Sequence, residues 1–138
     1  MDDMNLEKIL SNEALTFTEE TSITDVNLKM LERKVTEVVI VNNKNIYIGK
    51  ITIYDILNSK VDKRQEIKTL INNNHLVLKN NISLVKSIEE ASNFVGEFIP
   101  VKNSKTNHYV GSINESDLFR AYLNLQNQVL FVEKDTKN

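Results

Sequence analysis

The residues best placed to do chemistry are two short runs, Gly49-Lys50-Ile51-Thr52-Ile53-Tyr54-Asp55 and Gly111-Ser112-Ile113-Asn114-Glu115-Ser116-Asp117, in which Gly and Asp recur 62 residues apart. Each reads as a strand running straight into a helix. Such a junction leaves the first helical N–H groups unpaired and pointing outward, where the helix dipole adds to their attraction for an anion. Thr52 and Asn114 add a side-chain hydrogen-bonding group, and a carboxylate at Asp55 or Asp117 can accept from vicinal hydroxyls. The same residues also suit a plain helix cap, with Thr52 or Asn114 at the N-cap and the aspartate three positions on. Both readings stand on these residues, and capping does not exclude binding.

The elements around each run repeat as well. An apolar stretch precedes each glycine, Val38-Val39-Ile40-Val41 in the first half and Phe98-Ile99-Pro100-Val101 in the second, as expected of buried strands. A polar turn and a second strand follow, giving a hairpin in each half. Upstream, Ile23, Val26 and Met30 share one helical face and Leu84, Ile88, Ala91 and Val95 another, and Ser22 and Ser83 stand where N-caps belong. Short strands at Leu15-Thr16-Phe17 and Leu76-Val77-Leu78 open the halves, and helices over Tyr54–Ser59 and from Glu115 to about Gln128 close them. The predicted fold is α/β (α+β), two copies of strand, helix, strand, strand, helix.

The predicted organisation is a single module over residues 1–138, with one motif at 13–58, a linker helix at 59–74, a second motif at 75–128 and a tail at 129–138. Ile67, Leu70 and Ile71 form the apolar stripe of the linker. Leu6, Ile9 and Leu10 give residues 4–10 a matching role for the first half. Residues 129–132, Val-Leu-Phe-Val, are apolar enough to dock on the core or on a partner.

Composition narrows the function classes. With 41% hydrophobic and 26% charged residues, the chain can build a core. Lys plus Arg number 17 against 19 Asp plus Glu, and no basic cluster is interleaved with aromatics, which argues against nucleic acid as a partner. No cysteine is present, so disulfides, thiolate metal sites and a cysteine nucleophile are excluded; a reducing, cytoplasmic setting is expected. No apolar run nears the roughly 20 residues that span a bilayer. His75 and His108, the only histidines, are expected at the surface and not in a metal site. The serines lack a nucleophile-elbow setting and no glycine-rich phosphate loop occurs, so an enzyme is not expected.

The duplicated order of elements, with Gly49, Ile51, Thr52 and Asp55 in one copy and Gly111, Ile113, Asn114 and Asp117 in the other, resembles the cystathionine-β-synthase (CBS) domain family, whose motif ends in Gly-hydrophobic-Thr/Ser-x-x-Asp. Asn114 departs from that pattern. Pro100 matches a proline common in the family's preceding strand, where the first half has Ile40. The resemblance covers about residues 13–58 and 75–123. It implies two units packed through their sheets into a disc, discs that pair as homodimers, and AMP, ADP or ATP as regulatory ligands between the units.

On the same resemblance, Thr52 and Asp55 would share one cleft with Phe98, Ile99 and Pro100 flanking an adenine ring, and Asn114 and Asp117 would face Val39 and Ile40 across a second, weaker one. Tyr54 and Ser116 stand where nucleotide-binding members often have a basic residue, which favours AMP or adenosine over ATP. Ser116-Asp117-Leu118-Phe119-Arg120-Ala121-Tyr122-Leu123 further resembles the closing helix of CBS pairs behind the membrane domain of chloride channels and transporters. The implied role is regulation of an attached protein, with a structural dimerisation module that binds no nucleotide as the alternative.

Overall fold

The structure is a computed structural model that describes residues 6–136, with side chains through residue 128. Six strands and four α-helices follow in the order β1 (Thr16–Thr18), α1 (Ile23–Arg33), β2 (Glu37–Val41), β3 (Tyr47–Thr52), α2 (Ile53–Leu57), β4 (Leu78–Lys79), α3 (Leu84–Glu90), β5 (Ile99–Lys102), β6 (Tyr109–Ile113) and α4 (Glu115–Thr136). Short 3-10 turns occupy Leu6–Ile9, Ile67–Leu70 and Ala91–Asn93.

Each half builds the same three-stranded sheet. β1 runs parallel to β2, which pairs antiparallel with β3; β4, β5 and β6 repeat this order. Alternation along β2 sends Val38 and Ile40 into the first core with Ile23, Val26, Met30, Ile51 and Ile56, and turns Val39 and Val41 toward the other half. Ile99, Val101 and Ile113 fill the second core with Leu78, Leu84 and Leu118. Ser22 and Ser83 cap α1 and α3 by accepting from the N–H groups of Asp25 and Lys86, each at 3.1 Å.

The halves meet about a pseudo-twofold axis, so equivalent residues touch. Tyr47 N–H donates to the carbonyl of Asn107 and Tyr109 N–H to that of Asn45, both at 2.9 Å. Asn45 and Asn107 have φ of 62° and 65°, the left-handed conformation that asparagine tolerates in tight turns. Farther along the axis the Thr36 hydroxyl donates to Glu97 Oε1 at 2.6 Å, and Glu37 meets Phe98. The apolar seam between the sheets is Val39, Val41 and Phe98, with Ala14, Tyr47 and Tyr109 against it.

The segments that precede the motifs are exchanged. Leu6 is fully buried in the second core, and Ile67, which opens the corresponding turn before the second motif, is fully buried in the first. Both recurring glycines lie beneath these segments: a Cβ on Gly49 would come within 3.1 Å of Ile71 Cδ1, and one on Gly111 within 3.1 Å of Leu10 Cβ and 3.0 Å of the Ser11 carbonyl. The glycine repeat therefore records a close crossing of chain over strand.

Several boundaries differ from the sequence reading. Between the halves only Ile67–Leu70 is helical, as a 3-10 turn, because Asp62 and the run Asn72-Asn73-Asn74 favour side-chain-to-backbone turns over a longer helix. Of the segment 4–10, Leu6, Ile9 and Leu10 serve the second core and not the first; Met4 and Asn5 lie outside the described residues. α3 ends at Glu90, and Val95 is 92% exposed instead of completing its apolar face. Helix α4 continues to Thr136 through the expected tail, and the side chains of residues 129–132 lie outside the described residues.

Candidate functional site

Both strand-to-helix junctions form caps. Thr52 Oγ1 accepts from Asp55 N–H at 3.3 Å, and Asp55 Oδ2 accepts from Thr52 N–H at 2.8 Å, a reciprocal capping box at the start of α2. In the second copy Asn114 Oδ1 accepts from Asp117 N–H at 2.7 Å, and the Asp117 carboxylate lies 3.6 Å from Arg120. His75, expected at the surface, is only 22% exposed and places Nε2 3.1 Å from Asp55 Oδ2. Nothing in the local sequence around His75 signals this contact, which arises from the crossing of the linker.

The space between the halves is unequal on the two sides of the axis. On one side a cavity of about 190 Å³ opens between the halves, lined by Asn114, Ser112 and Phe98 from the second half, Val35 and Glu37 from the first, and Ala14 from β1's approach. Ser11, Glu13, Leu15 and Glu97 complete its wall. Among the described residues no lysine or arginine lines it, and Glu13, Glu37 and Glu97 give it an acidic rim.

On the other side the first-half equivalent of Ser112 is Lys50. Its side chain is 2% exposed and fills the corresponding space: Nζ pairs with Glu37, donates to the Phe98 carbonyl at 2.8 Å, and lies 4.8 Å and 5.0 Å from the ring centres of Phe94 and Phe98. A buried ammonium needs this full set of partners to offset its lost hydration. Outside this filled space a cavity of about 380 Å³ remains on the same side, lined by Asn74, His75 and Leu76, the equivalents of Glu13, Ala14 and Leu15, together with Phe94 and Val95; it includes neither Thr52 nor Asp55.

Of the residues singled out from sequence, the structure brings Asn114 and Phe98 into one cavity. Thr52 and Asp55 bind each other and His75 beside the filled space. Ile99 is fully buried within the second core, and Ile40 within the first, so neither side chain walls a cleft between the halves. Pro100 is buried in β5 opposite Ser112; since Lys50 pairs with Val39, the first-half equivalent of Pro100 is Val39 and not Ile40. Asp117 lines a separate cavity of about 320 Å³ with Ile9, Leu10 and Arg120. Glu37 and Lys50, the charged pair between the halves, went unread as a pair in the sequence; one charged residue in each of two paired, otherwise mostly apolar strands was the available signal.

Comparison with known proteins agrees with this architecture. The CBS domain family model matches residues 6–62. Among solved structures, CbpB in complex with c-di-AMP is similar at a TM-score of 0.76 and 17% identity, over 95% of this chain and 91% of that one. A CBS domain pair/ACT domain protein from Thermotoga maritima is similar at 0.75 and 11%, over 88% and 98%. CBSX2 in complex with AMP, a protein of Arabidopsis thaliana, is similar at 0.72 and 17%, over 88% and 98%. No curated protein matches the sequence. Residues 6–62 thus match the CBS domain family, and the whole described chain has the fold of a CBS domain pair. No helix among the described residues is long and apolar enough to cross a membrane.

Proposed function

We propose that this CBS pair is a regulatory module that binds an adenine nucleotide between its halves and controls an attached or partner protein. The observation that carries the reading is the open cavity where the capped start of α4, at Asn114, meets Phe98 and the opening of β2. It offers a ring face, an amide, and access from solvent at the boundary whose geometry a ligand would bridge. Similar folds were solved with AMP and with c-di-AMP, which supports an adenine-containing ligand as the class to test. The acidic rim and the lack of a lining cation favour AMP or adenosine over ATP, because each added phosphate charge meets Glu13 and Glu97 while the charge of Glu37 is balanced by Lys50. The protein regulated is proposed to be of the chloride channel or transporter class, from the likeness of residues 116–123.

Isothermal titration with adenosine, AMP, ADP and ATP tests the reading. Binding that weakens along that series and is lost on Asn114→Ala or Phe98→Ala supports it; no heat and no melting shift at saturating ligand removes it. Regulation further requires that the ligand favour one arrangement of the halves, since equal affinity for both shifts nothing.

A second reading, a structural homodimerisation module, draws on exposed apolar side chains along the helices: Leu28 and Leu31 on α1, Tyr54 and Leu57 on α2, Phe119 and Leu123 on α4. Sedimentation equilibrium separates the two. A stable dimer indifferent to every adenine ligand would establish the structural role alone.

A further inference from the structure

We infer that Lys50 is an internal plug that closes one of the two pseudo-equivalent clefts, so that this CBS pair takes a single ligand, on the Asn114 side. The statement about stoichiometry rests on the nucleotide reading above; the closure itself does not.

The axis maps the inner walls of the open cavity onto the opposite side: Ser112 onto Lys50, Asn114 onto Thr52, Val35 onto Gly96, and Glu37 and Phe98 onto each other. The outer walls Glu13, Ala14 and Leu15 map onto Asn74, His75 and Leu76, which line the cavity of about 380 Å³ that Lys50 and Phe94 separate from the start of α2. On the open side the small Ser112 leaves a void. On the other side the Lys50 stem and ammonium occupy it, flanked by the rings of Phe94 and Phe98 and held by Glu37 and the Phe98 carbonyl. Gly96 is part of the same fit, since a Cβ there would meet Glu37 Oε2 at 2.7 Å and Lys50 Nζ at 3.0 Å. A ligand entering this side would have to displace the ammonium, leaving Glu37 as a buried charge without its partner, an arrangement that is strongly disfavoured. Glu37 also lines the open cavity, so the plug neutralises one of the three carboxylates that face it. The plug therefore shuts one site and prepares the other.

Two measurements test this. The first compares stoichiometry by calorimetry, with adenosine and AMP as probes, between the wild type and the Lys50→Ser/Glu37→Gln double variant, which installs the Ser112 arrangement without orphaning a carboxylate. The expected result is one more site per chain in the double variant than in the wild type. A folded variant that takes one ligand, as the wild type does, overturns the plug, whereas binding by neither form removes the nucleotide reading and leaves the closure to be decided by the second measurement. One site in the variant and none in the wild type supports the plug while removing the proposed Asn114 site, and two sites in the wild type overturn the plug while leaving nucleotide binding intact. The second measurement needs no variant or ligand. On treatment of the native chain with acetic anhydride and peptide mass analysis, Lys50 should stay unmodified when the exposed Lys60 and Lys105 are fully acetylated. Acetylation of Lys50 alongside them would overturn the closure.

Discussion

His75 Nε2 stands 3.1 Å from Asp55 Oδ2, the oxygen that also accepts from the Thr52 backbone at 2.8 Å. A cap at the start of α2 is thereby tied to the chain just before the second motif, so the aspartate is a joint between the halves as well as a helix cap. Asp55→Ala removes both functions. The cap alone is worth about 1 kcal/mol, and the His75 contact adds to it, so a loss of about 1–2 kcal/mol is expected in urea denaturation. His75→Ala should cost less, and a loss for Asp55→Ala no larger than that for His75→Ala would show that the cap contributes nothing.

The Glu37–Lys50 pair should be strongly coupled. Removing one member leaves the other charge buried, so Lys50→Met and Glu37→Gln are each expected to destabilise, Lys50→Met by about 3–5 kcal/mol. The Lys50→Met/Glu37→Leu double variant replaces both charges by apolar groups and should recover most of that loss. A double-mutant cycle of chemical denaturation with Glu37→Leu as the other single variant checks this, and additive losses would contradict the coupling.

Much of the fold was legible because it is written twice. The repeat of Gly49 and Asp55 at Gly111 and Asp117 gave the number of units, and the apolar runs at Val38–Val41 and Phe98–Val101 gave their central strands with an error of one residue at each start. The family model's match stops at residue 62, and the second half, with Asn114 in place of Thr or Ser, repeats the fold of the first in its order of elements. Less legible was the asymmetry of the site. Lys50 and Ser112 occupy equivalent places in the repeat, yet one fills its side of the axis and the other leaves it open, a difference set by length and by partners 48 residues away in the chain. The exchange of Leu6 and Ile67 between cores was hidden for a related reason, since an apolar triplet does not say which of two similar cores it enters.

The two recurring glycines should differ in their tolerance of a methyl group. Gly111 has φ of 145°, and its added Cβ would lie 3.0 Å from the Ser11 carbonyl, which is fixed by accepting from Ser112 N–H at 2.9 Å. Neither the backbone angle nor the carbonyl can readily adjust, so Gly111→Ala should cost about 1–3 kcal/mol. At Gly49 the near atoms are the Cδ1 and Cγ2 of Ile71, at 3.1 and 3.2 Å, and a side chain can move. Thermal melts should therefore place Gly49→Ala between the wild type and Gly111→Ala; the reverse order would refute the distinction.

The seam between the sheets should make the module alkali-sensitive. Burial, with a smaller contribution from Tyr109, pushes the Tyr47 hydroxyl far above the usual tyrosine range, and burial raises Tyr109 as well. Both groups hold their protons more tightly folded than unfolded, so their stabilising effect is complete below the unfolded value of about 10 and is lost as pH rises beyond it. Stability measured between pH 9 and 11.5 should fall, and Tyr47→Phe should flatten that decline. The Tyr109 hydroxyl is buried with no hydrogen-bond partner among the described residues. Tyr109→Phe removes an unsatisfied polar atom, so it should be neutral or stabilising by up to about 1 kcal/mol at pH 7. A loss of more than about 1 kcal/mol at pH 7 would mean that the hydroxyl is satisfied in solution, and an unchanged alkaline decline in Tyr47→Phe would place its cause outside the seam.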